Sequence, residues 1–356
     1  MNKNHFTSFL LLCLVLVACG SPAGSPQDGD EKRPASNESS EQESYVLTLS
    51  HGYPTSSFMH TFMEWFDEEV QERSDGRLSL EIYSNGQLMP PDQEVPAILQ
   101  GQIDMTHTTS PVLASFDSLW NVYELPFIFD YDPQDPAVFL ENRMEFNNSD
   151  EGGGKIREVM EERGLKVLSL SFIDMFGSVY TTDSNNLVTG PNSAAGLRLR
   201  SPGGLIGPET VSAMGASSVT IAGAEVITAL QQGIVDGLLT TPIYAHDAKL
   251  PVKSFSLVPL FNSVTPLVIS QEKFESLPED LQEVLVKTGQ ELEGYAMEMV
   301  LERTKTAYRT LENDGVEIYY PTKEEIEEWK DATMSAKSVF ENEVERGTEL
   351  LKTLQE

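Results

Sequence analysis

Between Gly196 and Pro242 the residues run strand, helix, strand, and the first strand ends on an arginine. Gly196-Leu197-Arg198-Leu199-Arg200-Ser201-Pro202 reads as the first strand, a helix follows, and a second apolar strand runs into the Asp236-Gly237 turn. Such a unit belongs to an open α/β sheet, which receives ligands at the carboxyl ends of its strands. A guanidinium at that place presents a rigid fork that matches a carboxylate with two parallel hydrogen bonds. Arg200 is therefore read as an anion grip, not as part of a reaction centre. Pro202 and Gly203 fit a turn that presents it inward.

The same syntax extends in both directions. Tyr45 to Ser50 alternates as a strand, and Phe58 to Arg73 places Phe58, Met59, Phe62, Met63, Phe66 and Val70 at the spacing of an amphipathic helix. Asp75-Gly76 stops it, Leu78, Leu80 and Ile82 alternate again, Asp92 to Gln100 is a short helix, and Ile103 to Thr106 a third strand. Lys155 to Arg163, Gly164, and Leu165 to Phe172 repeat the pattern. This order predicts a mostly parallel sheet covered by helices. A second α/β unit spans 176–263, and Val264 to Ser270 reads as a strand returning to the first sheet. Beyond Pro278 lies the longest helical pattern, about 50 Å of helix that would run along both units before breaking at Asn313-Asp314-Gly315. Glu317 to Tyr320 is a short strand and Lys323 onward a charged helix. The expectation is an α/β chain of two lobes, each a mostly parallel sheet flanked by helices. Lobe I is 45–175 with 264–306, and lobe II is 176–263 with 307–356. Two lobes joined by crossover segments tend to hinge around a cleft.

The 356 residues suit two such lobes. With 24 Lys+Arg against 56 Asp+Glu the formal charge is −32, which argues against nucleic acid or an anionic lipid surface as partner. Lys3 and the apolar run Phe9 to Val17 read as an export signal over 1–18, and Leu16-Val17-Ala18-Cys19 has the form of a bacterial lipobox. Cleavage before Cys19 leaves that cysteine to carry a lipid, and residues 19–44, rich in Ser, Pro, Gly, Asp and Glu, read as a flexible acidic linker. Cys13 lies in the removed segment, so the mature chain holds no disulfide and no cysteine zinc site. The body of the protein is expected outside the cytoplasm, lipid-anchored to the outer face of the cell membrane or in the periplasm.

Signatures of catalysis and of cofactor or metal binding are missing. There is no His-Glu-x-x-His, no Gly-x-Ser-x-Gly and no phosphate loop, and His5, His51, His60, His107 and His246 are scattered with none at metal spacing. Gly152-Gly153-Gly154-Lys155 reads as a flexible turn. Asp130, Asp132 and Asp135 lack the glycine and glutamate of a calcium loop and read as a polar turn with Pro133 and Pro136.

Several strings together carry a resemblance. Ser74-Asp75-Gly76-Arg77, Ile82-Tyr83, Gly86-Gln87-Leu88, Gly101-Gln102-Ile103-Asp104-Met105 and Leu125-Pro126-Phe127-Ile128-Phe129 follow one another in order. The arginine strand, Met214-Gly215-Ala216, Glu225-Val226, Ala229-Leu230-Gln231, Val235-Asp236-Gly237 and Leu277-Pro278-Glu279-Asp280-Leu281 complete the series. From Tyr45 onward the chain resembles the extracytoplasmic solute-binding subunit of tripartite ATP-independent periplasmic (TRAP) transporters, the DctP family. The resemblance implies a two-lobed periplasmic-binding-protein-like fold of type II. It also implies an organic-acid ligand, docking on small and large sodium-driven membrane subunits, and no catalysis. Arg200 matches the arginine that fixes the substrate carboxylate in that family.

Departures accompany the match. Where sialic-acid-type members carry a second arginine, a glutamate and an asparagine, this chain has Val179, Thr109 and Thr241, with Thr240 sharing the last position. Gly223 replaces an aromatic residue. These changes argue against sialic acid and for a smaller or more apolar monocarboxylate. His51 and Tyr53 after the first strand, and Thr108 with Thr109 after the third, are added as strand-end candidates. Phe176 and Tyr180 at the first crossover could cover an apolar part of the ligand or pack in the core. Two other readings remain at this level: a binding lipoprotein serving an ATP-driven transporter or sensor kinase, and an extracellular α/β hydrolase.

Overall fold

The computed structural model describes residues 43–221 and 225–354. The export signal, Cys19, nearly all of the acidic linker and Gly223 lie outside the described residues.

Tyr45–Ser50 (β1), Leu78–Tyr83 (β2), Met105–His107 (β3) and Leu165–Phe172 (β4) enter one sheet. Ser178–Thr181 (β5), Arg198–Ser201 (β6), Ser217–Thr220 (β7), Gly237–Thr240 (β8) and Ser254–Ser256 (β9) enter a second. Val264–Ser270 (β10) returns to the first sheet and Glu317–Tyr319 (β11) to the second, giving the orders β2-β1-β3-β10-β4 and β11-β9-β5-β8-β6-β7. Each sheet contains one reversed strand. β10 is antiparallel to β3 and β4, and β5 is antiparallel to β8 and β9. The remaining pairings are parallel. Both reversed strands arrive straight from the other sheet, through residues 173–177 and 257–263. Links this short hold no crossover helix, which a parallel neighbour within a sheet would need.

Helices α1 (Phe58–Arg73), α2 (Pro91–Leu99), α3 (Ser110–Ala114), α4 (Pro136–Asn148) and α5 (Lys155–Glu162) lie in the chain that builds the first sheet. α6 (Ile206–Ala213), α7 (Val226–Gln231) and α8 (Pro242–Asp247) accompany the second. α9 (Gln271–Glu275) and α10 (Glu279–Asn313) follow β10, and α11 (Lys323–Ala332), α12 (Met334–Glu343) and α13 (Gly347–Thr353) close the chain.

Packing follows from the patterns. α1 buries Met59, Phe62, Met63, Phe66 and Val70, the stripe its sequence spells, and the Ser57 hydroxyl caps it by accepting from the Met59 N–H. Each such side chain contributes roughly 1.5–3 kcal/mol by leaving water. α10 extends for 35 residues and touches both sheets. Its buried Glu293 accepts from the Leu170 N–H of β4 at 2.7 Å, Tyr295 stacks on Trp65 of α1 at 4.7 Å, and Tyr308 stacks on Phe255 of β9 at 5.6 Å. α13 leaves the second-sheet side: Arg346, just before it, pairs with Glu162 of α5 at 3.0 Å.

One reading needs correction. Gly152-Gly153-Gly154 is not a flexible turn. It closes a π-helical turn, Asp150–Gly154, in which Gly152 and Gly153 are buried. A Cβ on Gly153 would lie 2.0 Å from the Asn147 carbonyl oxygen, so close packing requires the glycine. The Asp132 and Asp135 carboxylates accept from the Gln134 and Ala137 N–H groups, and Asp135 caps α4. That is the polar turn the prolines suggest.

Candidate functional site

β6 turns Leu199 and Ser201 toward buried surroundings, while Arg198 and Arg200 share its other face. Arg200 lies between Val219 of β7 and Leu238 of β8 and is half-buried. Its Nε donates to the Ile221 carbonyl at 3.0 Å, and no carboxylate among the described residues is in ion-pair range of its guanidinium. Burial holds its pKa below the ordinary arginine value, with the Tyr244 phenol acting in the opposite sense. β6 and β8 are parallel neighbours, so their carboxyl ends meet at one edge. Thr240 ends β8 and is buried; Thr241 follows at the N-cap of α8, half-buried. The structure thus brings Arg200, Thr240, Thr241 and Tyr244 to one end of the second sheet. Gly203 is exposed in the turn after β6.

A second group gathers where β1 and β3 end side by side. His51 is fully buried; its Nδ1 accepts from the Tyr53 N–H at 3.1 Å, and its Nε2 lies 3.0 Å from Nδ1 of His60. An acceptor Nδ1 in a neutral ring leaves the proton on Nε2, so His51 donates to His60. Burial, helped by His60, pushes the His51 pKa down to about 4. The Tyr53 hydroxyl is enclosed without a hydrogen-bond partner among the described residues. Its ring stands 5.6 Å from that of His107, which is fully buried and whose pKa burial pushes down to about 3. His51 and His107 are therefore neutral at pH 7. Beneath the sheet, buried Glu94 accepts from Ser50 Oγ at 2.9 Å and Thr106 Oγ1 at 2.6 Å, with its pKa raised by burial. Thr108 is buried and its N–H donates to the Pro266 carbonyl; Thr109 stands at the N-cap position of α3 without a side-chain capping bond and is half-buried.

Three candidates go to packing instead. Val179 sits in the smaller core with Leu199, Leu239 and Trp329. Tyr180 stacks on Phe255 at 4.5 Å, and Phe176 is edge-on to Phe139 at 5.1 Å and Tyr131 at 5.5 Å. Their side chains are closed in by these neighbours rather than open at a strand end.

Sequence reasoning missed His60 and His107, which the fold joins to His51 although the sequence scatters them. It also missed Asp174 in the first crossover, whose buried carboxylate reaches α8 and whose pKa burial pushes up to about 6. An acid set among Ile173, Met175 and Phe176 was the available signal. Among the described residues no group of three or more His, Cys, Asp or Glu is arranged to hold a metal ion, and no helix is long and apolar enough to cross a membrane. Two surface grooves contain none of the candidate residues. One of about 250 Å³ is lined by Lys155, Glu158, Arg346 and Glu349, and one of about 460 Å³ by Lys166, Phe274, Gln282 and Lys287.

Two sheets of mostly parallel strands, exchanging strands through short crossovers and spanned by one long helix, define a two-lobed α/β solute-binding protein. The model of the bacterial extracellular solute-binding protein family 7, DctP, matches residues 49–342, and the chain belongs to that family. It is 26% identical over 314 residues to the 2,3-diketo-L-gulonate-binding periplasmic protein YiaO of Escherichia coli, covering 87% of this chain and 92% of that one. It is 27% identical over 274 residues to the C4-dicarboxylate-binding periplasmic protein DctP of Rhodobacter capsulatus, covering 75% and 77%. A TRAP periplasmic solute-binding protein from Sulfitobacter, solved with bound β-D-galacturonate, superposes with a TM-score of 0.75 at 19% identity, covering 87% of this chain and 99% of that one. The protein is an extracytoplasmic solute-binding component of a TRAP transporter, a receptor rather than an enzyme.

Proposed function

We propose that this protein captures a small organic monocarboxylate between its two sheets, with Arg200 as the fork that holds the carboxylate. Arg200 itself carries the reading. In a chain with 56 acidic and 24 basic side chains, a half-buried guanidinium without a carboxylate partner among the described residues is kept open at a cost. A ligand anion would supply the missing partner, with Thr240, Thr241 and Tyr244 beside it. Across the cleft, neutral His51, Tyr53, Thr108 and Thr109 would meet the uncharged part of the ligand. The acids named for relatives, 2,3-diketo-L-gulonate, C4-dicarboxylates and galacturonate, all bring at least one carboxylate and support an organic-acid ligand, while the choice of a monocarboxylate rests on the residues of this chain. Closing of the lobes would then present the loaded protein to the small and large membrane subunits. A lipid on Cys19 would hold it at the outer face of the membrane, with residues 20–44 as tether.

A thermal-shift screen tests the reading, because a ligand that binds only the folded cleft raises Tm. A panel of mono- and dicarboxylates, D-galacturonate included, is expected to contain acids that raise Tm, with the uncharged sugar alcohols inert. Shifts from sugars or peptides and none from acids would overturn it. Mass spectrometry of the exported protein tests the anchor: a diacylated N-terminal Cys19 is expected, and its absence after replacement by alanine.

A further inference from the structure

Besides the long α10, two short segments of chain pass between the sheets, and one arginine holds both. Arg143 of α4 is fully buried, without a carboxylate in ion-pair range among the described residues. Its Nη1 donates to the carbonyls of Asn262 and Ser263 in the second crossover at 3.2 and 3.3 Å, and its Nη2 to the carbonyl of Asp174 in the first at 2.8 Å. The Phe172 ring lies 4.3 Å from the guanidinium carbon and the Phe139 ring 5.2 Å. A planar fork can reach three carbonyls at fixed angles; an ammonium cannot. The crossovers are also bonded to each other, Gly177 N–H to the Phe261 carbonyl at 2.7 Å and Leu260 N–H to the Gly177 carbonyl at 2.9 Å.

The connection continues through Asp174 into the second sheet. One carboxylate oxygen accepts from the Met175 N–H at 2.7 Å and from Ile243 at 3.3 Å, and the other from Tyr244 at 3.1 Å. The Thr241 side chain acts on the same carboxylate, opposing the rise that burial gives its pKa. Ile243 and Tyr244 form the first turn of α8, Thr241 is its N-cap, and Tyr244 is the side chain whose field acts on Arg200. Without Asp174 the buried Ile243 N–H would lose its partner.

The geometry points to Asp174 as a positioning residue for the anion grip: fixed by Arg143 at the hinge, it sets where Thr241 and Tyr244 stand relative to Arg200. Hinge and grip are thereby joined at one residue, its carbonyl held by Arg143 and its carboxylate by the first turn of α8. The assignment rests on the reading of Arg200 as the grip, and its test separates the two. Asp174→Asn keeps the size and one acceptor oxygen and loses the other. Arg143→Lys keeps the charge and loses the fork.

Both variants of the full chain are compared with wild type by hydrogen exchange at the Ile243 and Tyr244 amides, and by the rates of D-galacturonate binding. Loss of one charge-assisted hydrogen bond corresponds to about tenfold in an equilibrium, so one of the two amides should exchange about tenfold faster in Asp174→Asn. The dissociation rate should rise by about as much, with the association rate within about twofold. A mere folding defect would lower the fraction of competent molecules and speed exchange across the whole chain, leaving the rate constants of the remainder unchanged. Arg143→Lys should reproduce the local exchange effect, and it decides the matter should Asp174→Asn not fold. Exchange at both amides unchanged, or raised evenly throughout, would overturn the assignment. If Arg200→Ala binds D-galacturonate as wild type does, or wild type does not bind it, the grip reading fails at that ligand while the exchange result still decides the role of Asp174 in holding α8.

Discussion

Arg198 and Arg200 stand two residues apart on the same face of β6 and have opposite fates. Arg198, at the amino end of the strand, is answered by Asp236: its Nη2 meets Oδ1 at 2.7 Å, its Nε meets Oδ2 at 3.1 Å, and its own N–H donates to Oδ2 at 2.9 Å. The Gly233 carbonyl takes a further bond at 2.9 Å. Hydrogen bonding to Asp236 raises the Arg198 pKa, and the same contact depresses that of Asp236. Arg200, at the carboxyl end, has one backbone carbonyl and a lowered pKa. One end of the strand is closed chemistry that ties β6 to the turn before β8; the other is left open to an anion. The Asp236-Gly237 turn thus serves the fold, and Arg200 is the group proposed to hold the ligand.

The largest consequence falls on binding. Arg200→Ala should weaken carboxylate affinity by about 2–5 kcal/mol, the usual penalty for losing one partner of a desolvated pair, and Arg200→Lys by less. Because the guanidinium has no acidic partner among the described residues, Tm in the absence of ligand should hold or rise. Calorimetry and a melting curve on the same samples check both halves, and a fall in Tm with unchanged affinity would reverse the assignments of the two arginines.

The next effect uses the same contrast between partnered and unpartnered charge, now for acids. Glu124 is buried, accepts from Ser263 Oγ at 2.9 Å, and has its pKa raised to about 7 by burial. A folded pKa above the unfolded value contributes stability that is present below the unfolded pKa and lost as pH rises through about 7. Glu124→Gln should therefore gain on wild type between pH 5 and 8, by at most about 3 kcal/mol. Parallel pH dependences of the two proteins in urea melts would contradict this. Asp236 has the opposite sign: its depressed pKa stabilises above the unfolded value and is lost on acidification. The smallest effect is expected at exposed Arg198, where alanine should lower Tm slightly and leave carboxylate affinity nearly intact.

What could be read from sequence divides along similar lines. β1, α1, β2, α2 and β4 are legible because each has one clean period and an ending signal, and β10 was recognisable as a return strand from its apolar run. α4 was not assigned. Its buried face is Phe139, Leu140, Arg143, Phe146 and Asn147, so two polar side chains interrupt the apolar stripe that would have announced it. An arginine set at helical spacing within that stripe was itself the clue to a buried fork. Arg200 emerged from its place at a strand end and from the resemblance together. The His51, His60 and His107 cluster could not emerge, since only the fold brings these three side chains together and they follow no spacing rule in the chain. Phe176 and Tyr180 at the crossover could face ligand or core, and Val179 entered as the place of a second arginine in sialic-acid-type members; the aromatic and aliphatic neighbours that enclose all three come from distant segments.

The most direct measurement is a crystal structure of the protein with the acid that gives the largest thermal shift. The account predicts the carboxylate seated on the free nitrogens of Arg200, with Thr240 or Thr241 within hydrogen-bond reach and Nε still on the Ile221 carbonyl. A ligand carboxylate held elsewhere, with Arg200 facing open solvent, would contradict it.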